Sequence, residues 1–138
     1  MSNIAVILGP DNEGTQIRFK ETSEAAEKVG GIDLRFVDST QPFDDIVAQC
    51  KGAVVLLPTG HLKGMAELAE KVGTVKLVQT FSAGTDYIDK AGLAEMGVNV
   101  SNNGGANAVA VAEHAIGLMF STNRKLDVQI QSVKDGTW

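Results

Sequence analysis

Four times the sequence runs through a helix-like stretch, stops at a glycine, and resumes as an apolar run. The helix-like stretches are EAAEKVG, DDIVAQCKG, MAELAEKVG and GLAEMG, ending on Gly30, Gly52, Gly73 and Gly97; the runs after them are IDLRFV, AVVLLP, VKLVQTF and VNVSN. The residue that follows a helix often takes the left-handed backbone conformation, which glycine adopts without a Cβ clash. Each of these glycines therefore reads as a helix stop and each following run as a strand. With NIAVIL ahead of the first helix, the pattern predicts five β/α units.

The runs NIAVIL and AVVLLP are continuous in apolar character rather than alternating, as expected of strands covered on both faces. Strands separated by helices must pair in parallel through right-handed crossovers. The intervening helices carry one apolar stripe each: Phe43, Ile46, Val47 and Cys50 in the second, and Leu62, Met65, Leu68, Ala69 and Val72 in the third. The expected fold is α/β, a flavodoxin-like doubly wound sheet of five parallel strands in order 2-1-3-4-5, followed by a long apolar C-terminal helix. Residues 15–29 show no clean stripe, so the first helix could begin as late as Thr22. A length of 138 residues at 43% hydrophobic content suits one complete domain. Its expected extent is 1–104, with 105–138 holding a helix and a tail.

The balance of charge narrows the partners. A net charge of -5 and a pI near 4.9, with no basic run, argue against a nucleic-acid backbone or an anionic membrane surface. The start MSNIAVILG has no basic leader, and no run reaches the ~18 apolar residues of a membrane span. Cys50 is the one cysteine, which offers neither a disulfide nor a metal cluster. A reducing, cytoplasmic setting without a metal site is the expectation.

In an open parallel sheet, ligands gather at the carboxyl ends of the strands, where backbone N–H groups and helix starts converge. Here those loops are GPDNEG, DSTQPF, PTGHLKG, SAGTD and NNGGAN. SAGTD is the best anion cradle among them, because small residues let a carboxylate approach the amides of Ala83 and Gly84, with the Ser82 hydroxyl nearby and Asp86 bracing the turn. An ordinary glycine turn is the commoner use of such a stretch. His61 falls at the start of the third helix, where a solvated side chain is the plain reading; His114 sits inside the apolar helix as a packed or interface residue, and Cys50 on its helix stripe as core. Three other chemistries fit poorly. A phosphate-accepting receiver would need an aspartate where the third strand ends in Pro58, and a flavin site would need a hydroxyl-rich first loop and more aromatics. A G-x-G-x-x-G dinucleotide loop is absent, GGANAV departing from its spacing.

Along residues 106–120 two apolar stripes lie side by side, Val109, Ala112, Ile116 and Phe120 beside Ala108, Val111, Ala115, Leu118 and Met119. A helix packed only on its own sheet needs one stripe of roughly 100°, so the excess predicts a second body. From Val75 onward the sequence resembles the D-isomer-specific 2-hydroxyacid dehydrogenases, which include phosphoglycerate, glyoxylate/hydroxypyruvate and formate dehydrogenases. The resemblance rests on G-x-D-x-I-D at Gly84–Asp89, N-x-x-G-A-N-A at Asn102–Ala108 and V-A-E-H-A at Val111–Ala115. It covers residues 75–138, while 1–74 agree in pattern alone.

The resemblance implies that the flavodoxin-like part is a substrate domain whose backbone amides at Ser82, Ala83 and Gly84 hold the carboxylate of a small 2-oxo or 2-hydroxy acid, with Asn107 as a second contact. It also implies that helix 107–124 leads toward a cofactor domain and pairs across a two-fold dimer. The family's NAD loop and its catalytic arginine, glutamate and histidine fall past the point matching Trp138. Within these residues no catalytic, NAD-binding or metal site is therefore expected, and hydride transfer by this stretch alone is not. The other expectation is a non-catalytic module that self-associates or binds a partner, a homodimer whose terminal helix is exchanged between subunits or folded back on its own sheet.

Overall fold

A computed structural model describes residues 3–137, arranged as β1 (Asn3–Gly9), α1 (Glu13–Val29), β2 (Ile32–Asp38), α2 (Phe43–Gln49), β3 (Ala53–Pro58), α3 (Met65–Val72), β4 (Leu77–Gln79), α4 (Lys90–Glu95), β5 (Asn99–Ser101), α5 (Ala108–Arg124) and α6 (Leu126–Lys134). The five strands form one parallel sheet in the order β2-β1-β3-β4-β5. The chain divides into two compact units, Met1–Asn103 and Gly104–Trp138. The sheet lies entirely in the first.

All four helix-stop glycines have positive φ; Gly73 at 72° is left-handed, and its N–H returns to the Ala69 carbonyl at 2.9 Å. Any side chain at that backbone angle would be strained. The apolar stripes of α2, α3 and α4 meet one face of the sheet. Val6, Leu8, Val37, Leu56 and Val78 from the strands close against Ile46, Cys50, Leu68 and Leu93 from the helices, all buried. Each fully buried Leu, Ile or Val contributes about 1.5–3 kcal/mol, so this layer carries most of the unit's stability. The opposite face, with Ala5, Leu34, Val55 and Leu57, is covered by α1 and retains a groove of about 260 Å³ against Ala25, Ala26 and Val29.

Three expectations need correction here. The first helix begins at Glu13, well before Thr22, because the Asn12 side chain caps it by accepting the Thr15 N–H at 3.0 Å. Cap chemistry sets that start; the missing stripe reflects a helix that buries only Thr15 and leaves Ile17 half exposed. The third helix begins at Met65, so His61 and Leu62 lie in the preceding loop, Leu62 packing on the core from there. Finally, the region after residue 124 is a second helix, α6, rather than a tail.

In the second unit α5 and α6 meet at Lys125, a non-glycine residue with φ 51° and ψ 46°. The N–H of Lys125 closes α5 on the Ser121 carbonyl. Taken by itself this unit leaves Val109, Val111, Ile116, Leu118, Met119 and Phe120 exposed, together with Val128, Ile130 and Val133. Among the described residues no helix is long and apolar enough to cross a membrane.

Candidate anion site at the carboxyl edge

The loop that leaves β4 is held by its carbonyls. Buried Thr80 donates its Oγ1 hydrogen to the Ser82 carbonyl at 2.7 Å, and the Asn103 N–H reaches the same oxygen at 3.1 Å. The Asn102 side-chain amide donates to the Ala83 carbonyl at 2.6 Å, and the Ser82 hydroxyl donates to the Gly84 carbonyl at 3.0 Å. Thr80 is itself anchored through its N–H to Ser101 of β5 at 3.0 Å. Three successive carbonyls are thus occupied from within the protein. Among the described residues the N–H groups of Ser82, Ala83 and Gly84 donate to no protein group. All three residues are exposed.

This division gives the loop a direction. A strand-end loop whose oxygens are bound and whose amides are open offers unpaired donors, which suit a carboxylate or phosphate oxygen. The small side chains of Ala83 and Gly84 leave room for close approach. One charge opposes it: a Cβ added to Gly84 would lie 3.9 Å from the Asp86 carboxylate, so Asp86 faces this loop. Asp86 makes no hydrogen bond among the described residues and does not brace the turn. Thr80, Asn102 and the Asp89 cap of α4, which accepts the Gly92 N–H at 2.9 Å, do that instead.

The structure joins to this loop two residues that the sequence did not connect with it, Tyr87 and His61. The Tyr87 hydroxyl lies 3.4 Å from Ser82 Oγ, and the His61 ring stacks on the Tyr87 ring with centroids 4.4 Å apart and an interplanar angle of 14°. Spacing along the chain could not reveal the contact, because the two rings come from loops after different strands. Thr80 was equally silent, and Asn102 was legible only as the start of the NNGGAN loop and its motif; their part in the site shows once their carbonyl partners are known.

Asn107 belongs to the second unit, where it stands at the N-cap of α5 with φ -114° and ψ 10°; its side chain makes no cap hydrogen bond. His114 is exposed on α5 within that unit rather than packed. Cys50 is buried, and desolvation pushes its thiol up to about 11, which leaves almost no thiolate near neutral pH. It is a core residue. At the end of β2, Asp38 accepts hydrogen bonds from the Thr40 N–H and hydroxyl, both at 2.9 Å, and these hold its carboxyl below the usual range. Among the described residues no group of three or more His, Cys, Asp or Glu side chains could hold a metal ion.

Residues 12–133 match the family described as D-isomer specific 2-hydroxyacid dehydrogenase, catalytic domain. The chain is 40% identical over 78 residues to an erythronate-4-phosphate dehydrogenase of Pseudoalteromonas atlantica, covering 56% of this chain and 21% of that protein. It is 36% identical over 95 residues to a D-3-phosphoglycerate dehydrogenase of Archaeoglobus fulgidus, covering 69% of this chain and 18% of that one. The chain thus spans about a fifth of the length of these relatives. In fold it is similar to an NAD-dependent formate dehydrogenase from Staphylococcus aureus solved with NAD: the TM-score is 0.67 at 23% identity, over 98% of this chain and 43% of that one.

Proposed function

Since the chain belongs to the D-isomer specific 2-hydroxyacid dehydrogenase family, we propose that its first unit is a substrate-binding domain whose Ser82, Ala83 and Gly84 amides hold the carboxylate of a small 2-oxo or 2-hydroxy acid. The observation that carries this reading is the loop's asymmetry, three carbonyls bound from inside and three amides open. The reaction served is hydride transfer between NAD(H) and the acid. That chemistry needs a nicotinamide against the substrate carbon and an acid/base group at its hydroxyl, which the proposal assigns to residues outside 1–138. These 138 residues then bind without catalysing, in a cytoplasmic setting that keeps Cys50 reduced. Calorimetric titration with pyruvate, glyoxylate and NADH tests this. Saturable binding of a carboxylate with none of NADH is expected, and saturable NADH binding by the same chain overturns it.

A second reading rests on a different observation, the apolar side chains that α5 leaves exposed within its own unit. A face of that kind drives association, and the proposal is a homodimer through helix 107–124, either exchanged between subunits or paired across a two-fold axis. Association and carboxylate binding are compatible. Sedimentation at tens of micromolar decides the former: a dimer is expected, and a monomer overturns the homodimer while pointing to a helix folded back on its own sheet.

A further inference from the structure

Resting on the carboxylate-binding reading above, we propose that His61 is a positioning residue for the site, acting through Tyr87 on the amide loop. The contacts form a continuous line. The His61 ring lies face to face with the Tyr87 ring at 4.4 Å, the Tyr87 hydroxyl stands 3.4 Å from Ser82 Oγ, and Ser82 Oγ donates to the Gly84 carbonyl at 3.0 Å. Because the Ser82 hydrogen is committed to Gly84, the remaining role for Ser82 Oγ is acceptor, and the Tyr87 hydroxyl is the donor. That bond is long, so it depends on where the phenol ring is held. Tyr87 is half-buried and one face of its ring is stacked by His61. Without the imidazole the phenol can swing away, Ser82 Oγ loses a donor, and the Gly84–Thr85 peptide that Ser82 holds by its carbonyl is freer to rotate, which loosens the turn presenting the Gly84 N–H.

The loop is otherwise braced from the β5 side, by Asn102 and Asn103 on the Ala83 and Ser82 carbonyls. His61 comes from the loop after β3, on the other side in strand order, so the two supports hold the loop from neighbouring strands. His61 itself is exposed and sits outside α3, where the sequence gives no structural reason for an aromatic side chain. Its work is local to the site, and its replacement leaves the buried core untouched.

The test follows the backbone amide signals of the loop in the 138-residue chain during titration with glyoxylate, in the wild type and in His61→Ala, His61→Phe, Tyr87→Phe and the His61→Ala/Tyr87→Phe pair. His61→Ala is expected to weaken binding about fivefold, the scale of one hydrogen bond of ordinary net strength. His61→Phe restores the stack and with it the affinity. Tyr87→Phe keeps the ring but not the donor and weakens binding as His61→Ala does, and the pair is no weaker than either single change, because both act through one contact. Unaltered affinity in His61→Ala overturns this inference while leaving the carboxylate site standing. A loss that His61→Phe does not restore, or additive losses in the pair, overturns the route through Tyr87. A wild type with no saturable response to glyoxylate removes the carboxylate reading and this inference together.

Discussion

Single side chains decide how the carboxyl edge is shaped. A Cβ on Gly9 would stand 1.8 Å from Thr59 Oγ1, which must rotate away, and still 3.1 Å from both Thr59 Cβ and Thr15 Cγ2, with the Thr59 backbone held by its N–H on the Leu8 carbonyl at 2.7 Å. Gly9→Ala is therefore expected to cost about 1–3 kcal/mol in denaturant unfolding. Asp86 faces the amide loop without a partner to neutralise it, so Asp86→Asn should tighten carboxylate binding roughly two- to fourfold at low salt, an advantage that fades as salt screens it. Asp38 is a source of acid sensitivity. Its folded pKa is lowered from the usual 3.8, first by the Thr40 N–H and then by the Thr40 hydroxyl, so its stabilising effect is complete above about pH 4 and is lost as pH falls through the lower folded value. Asp38→Asn should flatten that part of the stability curve below about pH 4. Cys50, with its thiol pushed up to about 11, should resist alkylation at pH 7 until the chain unfolds.

At the level of elements, the parts of the fold legible in the sequence were those with local chemistry. Helix stops carried glycines, and the strands of a doubly covered sheet carried unbroken apolar runs, so order and parallel pairing could be read directly. The start of α1 could not be read from a stripe, because α1 buries little; the signal lay in Asn12, whose side chain caps the Thr15 N–H. Asn12→Ala is expected to lower stability by about 1 kcal/mol and to raise amide exchange over residues 13–16. The α5–α6 break at Lys125 was illegible for the opposite reason: lysine is a good helix former and nothing near it announces a left-handed residue. Of the site, SAGTD was legible as a cradle because small residues and a hydroxyl sit together. Its orientation was not, since that depends on Thr80, Asn102 and Asn103 reaching carbonyls from neighbouring strand ends.

For the molecule as a whole, the first unit holds the five-stranded sheet with a buried apolar core on one face, and the second unit exposes apolar residues along both its helices. In the reading proposed above, the first serves substrate recognition and the second association. Substituting Phe120 and Ile116 together by glutamate should shift the chain toward monomer in sedimentation, because both are exposed apolar residues of α5. The central claim concerns those amides, and it is tested most directly by site-resolved amide shifts while pyruvate is titrated into the 138-residue chain. The account predicts saturable shifts largest at Ser82, Ala83 and Gly84, displaced by a competing small carboxylate; saturation that leaves these three signals in place, with shifts elsewhere, would contradict it.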